Sequence, residues 1–258
     1  MSDAMKLIRY DSESQSANIV MHAPIGTGKT TFVAKSTKPI FVLTENGLGN
    51  NTVPHFPLAN TLEEVLEYLQ ALISDQEHQF ETVVIDSLDW LEPLIWAYVA
   101  KVHSVRSIED LSYGKGYLLA TDVWRKILGL LTELRTKRKM MSILVCHCQV
   151  KRYDSPEHEP YDRYVLKLHH RAAALIEEWS DILLFANFIT TTVKTDVGFG
   201  NTVVRGVGSG KRSLYTEARP AFIAKNRFGL PPVLPLSWAD FSAALTAAKM
   251  KGATNVTN

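Results

Sequence analysis

Short apolar runs alternate with stretches of helical periodicity through the first half of the chain. Uninterrupted apolar runs of this length are typical of strands that are buried on both faces of a parallel sheet. The predicted strands are 5–21, 39–43, 82–85 and 141–146, and the predicted helices are 29–36, a helix that begins at 61, 91–102 and 117–135. This alternation predicts an α/β fold with a mostly parallel central sheet flanked by helices.

The helix that begins near residue 61 has the clearest boundary signal. Thr61 can cap the first turn, and Glu64, three residues later, completes a capping box. The apolar residues that follow recur at helical spacing. The sequence therefore predicts one helical face packed against the sheet.

The second half is more polar and its elements are less regular. Residues 151–171 are basic and contain two prolines, so we predict a long loop there. Further strands are predicted at 181–185, 188–193 and 221–224, and residues 196–212 are predicted to form a glycine-rich loop or hairpin. These later strands would extend the edge of the sheet.

We predict a single domain, because the chain shows no internal repeat and no low-complexity linker. Residues 1–14 would be an entry segment, 15–236 the core, and 237–258 a C-terminal helix with a frayed tail.

Composition narrows the function classes. The 258 residues are 46% hydrophobic, which is enough for a sizeable core, and the formal net charge is +1. Because the chain is not a bulk polycation, any nucleic-acid contact must come from a local basic patch. No run approaches the length of a membrane span, and Cys146 and Cys148 are too few for a zinc site. A reduced, cytoplasmic protein is expected.

A glycine-rich segment joins the first predicted strand to the first predicted helix. Its residues are Pro24, Ile25, Gly26, Thr27, Gly28, Lys29, Thr30 and Thr31. Glycines let backbone N–H groups converge on phosphate oxygens, the lysine reaches the β and γ phosphates, and the threonine hydroxyl binds Mg²⁺. The segment predicts a P-loop for ATP or a related nucleotide, with Ala23 where the motif usually starts with glycine.

Three polar residues follow other predicted strands. Asp86 ends an apolar strand and is predicted to bind Mg²⁺ together with Thr30; the alternative is a helix cap. Glu45 would orient the attacking water if its strand neighboured the P-loop strand, or else be a solvated turn residue. His147 would sense the γ-phosphate, or be satisfied by backbone groups.

Two basic segments in the second half are candidates for binding single-stranded DNA, because cations attract phosphate and aromatic rings stack on bases. The candidates are Lys151, Arg152, Tyr153, Arg163, Lys167, His169, His170 and Arg171 in the first segment, and Arg205, Lys211 and Arg212 in the second. The alternative is a pair of solvated surface loops. Lys225 and Arg227, beside a glycine turn, are candidates for contacting a nucleotide of the same or a neighbouring subunit.

The order of these motifs resembles the RecA-type recombinase core. It resembles most closely the phage-encoded, RadA-related AAA-type proteins that act in single-strand annealing. The resemblance rests on the P-loop, on Thr-Glu-Asn-Gly at 44–47 and on Lys-Asn-Arg-Phe-Gly at 225–229, and it covers residues 15–236.

The resemblance implies a DNA-stimulated ATPase with ATP and Mg²⁺ as cofactors and Glu45 as the catalytic carboxylate. Lys29 would act on the phosphates, and His147 would couple ATP to DNA-binding loops at 151–171 and 196–212. Lys225 and Arg227 would reach the nucleotide across a subunit interface. The implied partners are single-stranded DNA, further copies of the chain in a ring or filament, and a single-strand-binding protein, in the cytoplasm of a phage-infected cell.

Two other function classes stay open. A nucleotide-gated binding module would use ATP to order its loops with negligible turnover. A nucleotide kinase is less favoured, because the basic stretch 135–139 lies at a predicted helix end and makes a poor lid.

Overall fold

The computed structural model describes residues 16–196 and 202–254. Nine strands form its sheet: β1 (Asn18–Ala23), β2 (Pro39–Leu43), β3 (Thr82–Asp86), β4 (Met141–Tyr153), β5 (Tyr161–Leu166), β6 (Ile182–Asp196), β7 (Thr202–Tyr215), β8 (Lys225–Asn226) and β9 (Val233–Pro235). The helices are α1 (Lys29–Val33), α2 (Leu62–Ser74), α3 (Leu88–Val102), α4 (Lys115–Arg138), α5 (His170–Trp179) and α6 (Trp238–Thr254).

The centre of the sheet is parallel, in the order β2-β3-β4-β1-β6. Strands β7 and β9 extend it antiparallel beyond β6. The predicted α/β fold, with a mostly parallel sheet flanked by helices and extra edge strands, is confirmed. Strand β1 lies between β4 and β6, so the loop that follows it opens at the carboxyl edge of the sheet, where ligands bind in such folds.

Alternate residues of each central strand enter two separate cores. Val20, Val42 and Ile85 pack with helices α2 to α5 on one face of the sheet. Met21 and Val84 pack with α1 and α6 on the other. Because both faces are covered, these strands are apolar throughout, and this is why their positions could be predicted.

The capping box at the start of α2 is present as predicted. The Thr61 side chain accepts from the Glu64 N–H, and the Glu64 carboxylate accepts from the Thr61 N–H. The helix buries Val65 and Leu69 completely. Local capping and the apolar stripe therefore agree on the position of α2.

The prediction of a long loop over 151–171 was wrong. Strand β4 continues past the sheet to Tyr153 and pairs antiparallel with β5, and α5 begins at His170. Charged residues lie on both faces of this two-stranded ribbon, Arg152 and Asp162 on one and Lys151 and Arg163 on the other, and they interrupt the apolar alternation by which a strand is recognised.

The other edge elements also differ from their predicted boundaries. The two strands predicted at 181–185 and 188–193 are one strand, β6, with an irregularity between Phe188 and Thr190. Residues 202–212 form the second strand of a hairpin, and 197–201 lie outside the described residues. Within 221–224 only isolated bridges at Phe222 occur, and β8 follows.

Helix α6 packs into the core beside α1, burying Phe241 fully and Leu245 almost fully. The entry segment 1–14 and the tail 255–258 lie outside the described residues. In the described part of the chain, none of the helices is long and apolar enough to cross a membrane.

Candidate functional site

The P-loop connects β1 to α1 and is shaped by two glycines. Gly26 and Gly28 have φ values of 77° and 96°, a region that side-chain-bearing residues rarely adopt. The Thr27 hydroxyl donates to the Pro24 carbonyl at 2.8 Å and closes the turn. Ala23, the departure from the motif, is the last residue of β1 and is fully buried in the core, so its methyl group lies in the strand and not in the turn.

Lys29 extends along the inside of this loop. Its Nζ lies 3.4 Å from the carbonyl oxygens of Ala23 and Pro24, and the residue is only 6% exposed. Burial lowers the pKa of the ammonium group, and the nearby Asp86 opposes this change. The loop thus holds a desolvated cation where the phosphates of a nucleotide would enter.

Asp86 lies opposite the start of α1. The Thr30 hydroxyl donates to Asp86 Oδ2 at 2.8 Å. Burial raises the pKa of the Asp86 carboxyl to about 6, despite that hydrogen bond. The structure therefore brings together the two residues predicted to bind Mg²⁺.

These two residues fit magnesium, which usually takes one or two protein oxygens and completes its shell with water and phosphate oxygens. A hydroxyl and a carboxylate oxygen 2.8 Å apart supply such a partial shell. Within the described ranges, no group of three or more His, Cys, Asp or Glu side chains could hold a metal ion alone. The site suits an ion that arrives with a nucleotide.

Glu45 reaches the same pocket by a route that differs from the prediction. Strand β2 does not neighbour β1, because β3 and β4 lie between them. The residue nevertheless lines a cavity of about 570 Å³ together with Lys29, Asp86 and His147. The premise about strand order was wrong, yet Glu45 is at the pocket because the segment that follows β2, residues 45–51, lines it.

His147 enters the pocket from β4, where it is paired in register with Ala23. Its Nδ1 lies 3.0 Å from Asp89 Oδ2, and its backbone N–H donates to Asp89 Oδ1 at 3.0 Å. The Asp89 side chain is only 4% exposed, and despite burial its hydrogen bonds with His147 lower the carboxyl pKa to about 2. Asp89 therefore fixes the orientation of His147.

Sequence reasoning gave Asp89 no role, although one signal was available. The residue lies three positions after Asp86, in the first turn of α3. A carboxylate there points back toward the carboxyl edge of the sheet, where β4 also ends its buried part.

The candidates for DNA contact divide between the two faces of the ribbon formed by β4 and β5. Lys151 is paired opposite Arg163, and Tyr153 is paired opposite Tyr161. Because side chains alternate along a strand, these four share one face, which we call the cationic face. The Arg163 guanidinium lies 3.8 Å from the centre of the Tyr153 ring. Arg152 is on the opposite face, beside Asp154.

The remaining candidates of the first segment lie at the base of the ribbon. Lys167 and Arg171 are exposed, and His170 is the first residue of α5. The His169 ring stacks on Tyr117 with centroids 4.3 Å apart, and its backbone N–H donates to the buried Glu92 carboxylate. His169 is thus held in the packing between helices.

The second segment is not a single basic surface. Lys211 is exposed on β7. Arg212 Nη1 instead donates to the Thr27 carbonyl at 3.0 Å, so this side chain lies against the P-loop. Arg205 is on β7 opposite Val193, and its side chain lies outside the described part of the structure.

Lys225 is held within its own chain in the structure, and its contact with a nucleotide stays a prediction. Its Nζ donates to the carbonyls of Glu177, Glu178 and Ser180 and so caps the end of α5. Arg227 contacts Asp181 at 3.3 Å, but its side chain remains 54% exposed.

Three features lie together at the carboxyl edge of the parallel sheet: a glycine-rich loop, a buried lysine and a threonine–aspartate pair. Together they define a P-loop nucleotide-binding domain. The family model AAA_24, described as an AAA domain, matches residues 15–228, and the chain belongs to that family.

No curated protein matches the chain in sequence. Among solved structures, the chain is similar to the RadB recombinase, with a TM-score of 0.42 and 13% identity over 82% of this chain and 92% of that one.

Proposed function

We propose that this protein is an ATP-dependent single-stranded-DNA-binding protein that hydrolyses ATP at the P-loop and acts in phage DNA recombination or single-strand annealing, in the cytoplasm of the host. The observation on which the proposal rests is the course of β4. His147 of that strand lines the phosphate pocket, and six residues on, the same strand ends at Tyr153 on the cationic face. A change at the phosphates can therefore act on the ribbon through one continuous strand.

The residues of the pocket suit phosphate chemistry. Lys29 and the N–H groups of residues 26–31 would bind the phosphate oxygens, and Mg²⁺, bound with the nucleotide by Thr30 and Asp86, would neutralise phosphate charge. Glu45 would orient the attacking water and accept its proton. Asp89 would act as a positioning residue, since it holds His147 by Nδ1 at the edge of the pocket.

The cationic face suits an unpaired nucleic acid. Two cations paired directly across strands repel each other, so an anion bound between Lys151 and Arg163 would relieve their repulsion. Glu92 acts electrostatically on Lys151 and Glu177 on Arg163, and these carboxylates offset part of the repulsion. The adjoining rings of Tyr153 and Tyr161 supply surfaces on which bases stack.

The test is steady-state ATP hydrolysis with and without single-stranded DNA. We expect stimulation in the wild type, none above blank in Lys29→Ala, and loss of stimulation in the double variant Lys151→Ala/Arg163→Ala. The matched control is Lys101→Ala/Lys137→Ala, which removes two exposed cations from helices elsewhere. Equal stimulation of the two double variants would exclude the cationic face as the DNA site.

The second candidate, a nucleotide-gated module with negligible turnover, is favoured by the position of Glu45, which is only half-buried at the rim of the pocket. Glu45→Gln separates the two functions. An ATPase should lose turnover and keep ATP binding, whereas a gated module should show the same DNA affinity and no turnover before and after the change. Phosphorylation of a nucleoside monophosphate would instead identify a kinase.

A further inference from the structure

A second cavity adjoins the P-loop on the side away from Asp86. It has a volume of about 620 Å³ and lies between α1 and the start of α6. Phe32 and Lys35 line it from α1, and Arg212, Ser237 and Trp238 line it from the other side.

The cavity borders the phosphate pocket. Gly28 and Thr31 line both. Glu45 follows β2, Asp86 ends β3 and His147 lies in β4, all on the β4 side of β1, whereas Arg212 lies on β7, beyond β6 on the other side. A triphosphate whose γ-phosphate lies beside Asp86 could therefore extend past Thr31 toward this second cavity.

An aromatic cluster holds the wall of the cavity. Trp238 lies edge-on to Phe32 at 5.4 Å between ring centroids, and Phe241 lies 5.4 Å from Trp238 and 5.9 Å from Phe32. Phe32 and Phe241 are buried, whereas Trp238 is half-buried and lines the cavity. A fixed, partly exposed indole offers a flat surface to which a nucleobase can bind.

Arg212 lies at the border between the two cavities. Its Nη1 donates to the Thr27 carbonyl, and a Cβ atom at Gly28 would lie only 2.5 Å from that nitrogen. Its carbonyl also accepts from the Leu236 N–H, which ties β7 to the segment that leads into α6. A guanidinium group at this place can face a phosphate oxygen or the plane of a base.

We propose that this cavity is the nucleoside subsite, in which Trp238 and Arg212 hold the base and ribose of a ribonucleoside triphosphate. The proposal rests on the proposed phosphate site and deepens it. Trp238 lies beyond residue 228, where the family match ends. The proposal therefore gives the C-terminal helix α6 a part in ligand binding. The proposal also assigns Arg212 to the nucleotide site and not to the DNA surface.

The test compares two probes, a slowly hydrolysed ATP analogue and inorganic tripolyphosphate, each with Mg²⁺, by isothermal titration calorimetry. Tripolyphosphate occupies the phosphate pocket alone. We expect Trp238→Ala to weaken binding of the ATP analogue about tenfold or more and to leave tripolyphosphate binding within about twofold. Trp238→Phe should recover most of the loss, because it keeps a ring. The control is Trp90→Ala, which removes an exposed indole on α3.

Arg212→Ala should also weaken binding of the ATP analogue, and it should leave DNA affinity in the absence of nucleotide unchanged. Equal affinity of Trp238→Ala and wild type for the ATP analogue would overturn the subsite while leaving the phosphate site intact. Failure of the wild type to bind either probe would instead overturn the proposed function. If Trp238→Ala bound neither probe and Trp238→Phe also lost binding, the result would show a folding defect at α6. That outcome would also contradict the subsite.

Discussion

At the phosphate pocket, two oppositely charged groups lie in surroundings that disfavour their charged forms. Burial lowers the pKa of Lys29 and raises that of Asp86 to about 6, so each group is held in a site that disfavours its charged form. A bound phosphate chain would favour the charged form of the lysine, and a bound divalent cation would favour the charged form of the carboxylate. We infer that the pocket is built for a nucleotide and its metal ion together.

The raised pKa of Asp86 predicts a pH dependence of metal binding. The carboxyl becomes protonated as the pH falls through about 6, and a neutral acid is a poorer magnesium ligand. The apparent Mg²⁺ affinity of the protein–nucleotide complex should therefore fall between pH 7.5 and 5.5, and it should fall several-fold less in Asp86→Asn. Since phosphate also titrates in this range, the variant supplies the reference. A Mg²⁺ titration at four pH values checks this, and identical pH profiles of the two proteins would contradict it.

At the scale of elements, one turn of α3 connects three parts of the molecule. Asp89 holds His147 of β4, and Glu92, three residues later, accepts the His169 N–H at the start of α5. Both carboxylates therefore lie on the same face of the helix. Movement of α3 would act on the phosphate pocket and on the base of the ribbon at once.

Glu92 predicts a pH dependence of stability. Burial raises its pKa to about 7, and the charge of Asp89 adds to this rise, whereas the hydrogen bond from the His169 N–H and the charge of Lys151 lower the pKa. Because the folded-state pKa exceeds the ordinary value, the protonated acid favours folding, and this contribution is fully present below about pH 4.5 and is lost as the pH rises through 7. Glu92→Gln does not titrate and keeps an acceptor for His169.

The free energy of unfolding of Glu92→Gln, relative to wild type, should therefore rise between pH 5 and pH 8, by on the order of 1–3 kcal/mol. Urea denaturation at pH 5, 6.5 and 8 measures it, with the exposed Glu67→Gln as control. If the difference in unfolding free energy between Glu92→Gln and wild type stayed constant with pH, Glu92 would be charged throughout this pH range.

The elements also differ in how far the sequence determines them. Strands β2 and β3 were predicted almost to the residue, because burial on both faces leaves a continuous apolar run such as 82–85. The ribbon of β4 and β5 was missed, because its stability comes from pairing between 148–153 and 161–166 and not from an apolar face. Local sequence carries the first kind of signal and not the second.

The same distinction applies to the site. The residues of the P-loop and Asp86 could be assigned because each follows or ends an apolar strand. Arg212 and Trp238 could not, since their places depend on how β7 and α6 pack against the P-loop. The contacts of Lys225 also depend on the fold, because only the packed structure shows that its ammonium group caps α5.

At the scale of the whole molecule, Arg227 is the candidate for a contact between subunits. Asp181 is shared by Arg135 at 3.0 Å, which is largely buried, and by the half-exposed Arg227. Arg227→Ala should therefore leave the fold intact, because Arg135 still pairs the carboxylate. The loss of stability should be below about 1 kcal/mol.

If Arg227 acts on the nucleotide of a neighbouring subunit, Arg227→Ala should lose ATP turnover, and mixing it with the equally inactive Lys29→Ala should restore part of it. In a head-to-tail ring or filament, about a quarter of the interfaces in an equimolar mixture combine an intact P-loop with an intact Arg227. The measurement is ATPase activity against mixing ratio, which should rise from near zero to a maximum at equal amounts. Activity that stays near zero at every ratio would mean that Arg227 acts within its own subunit, and full activity of Arg227→Ala alone would mean that it has no part in turnover.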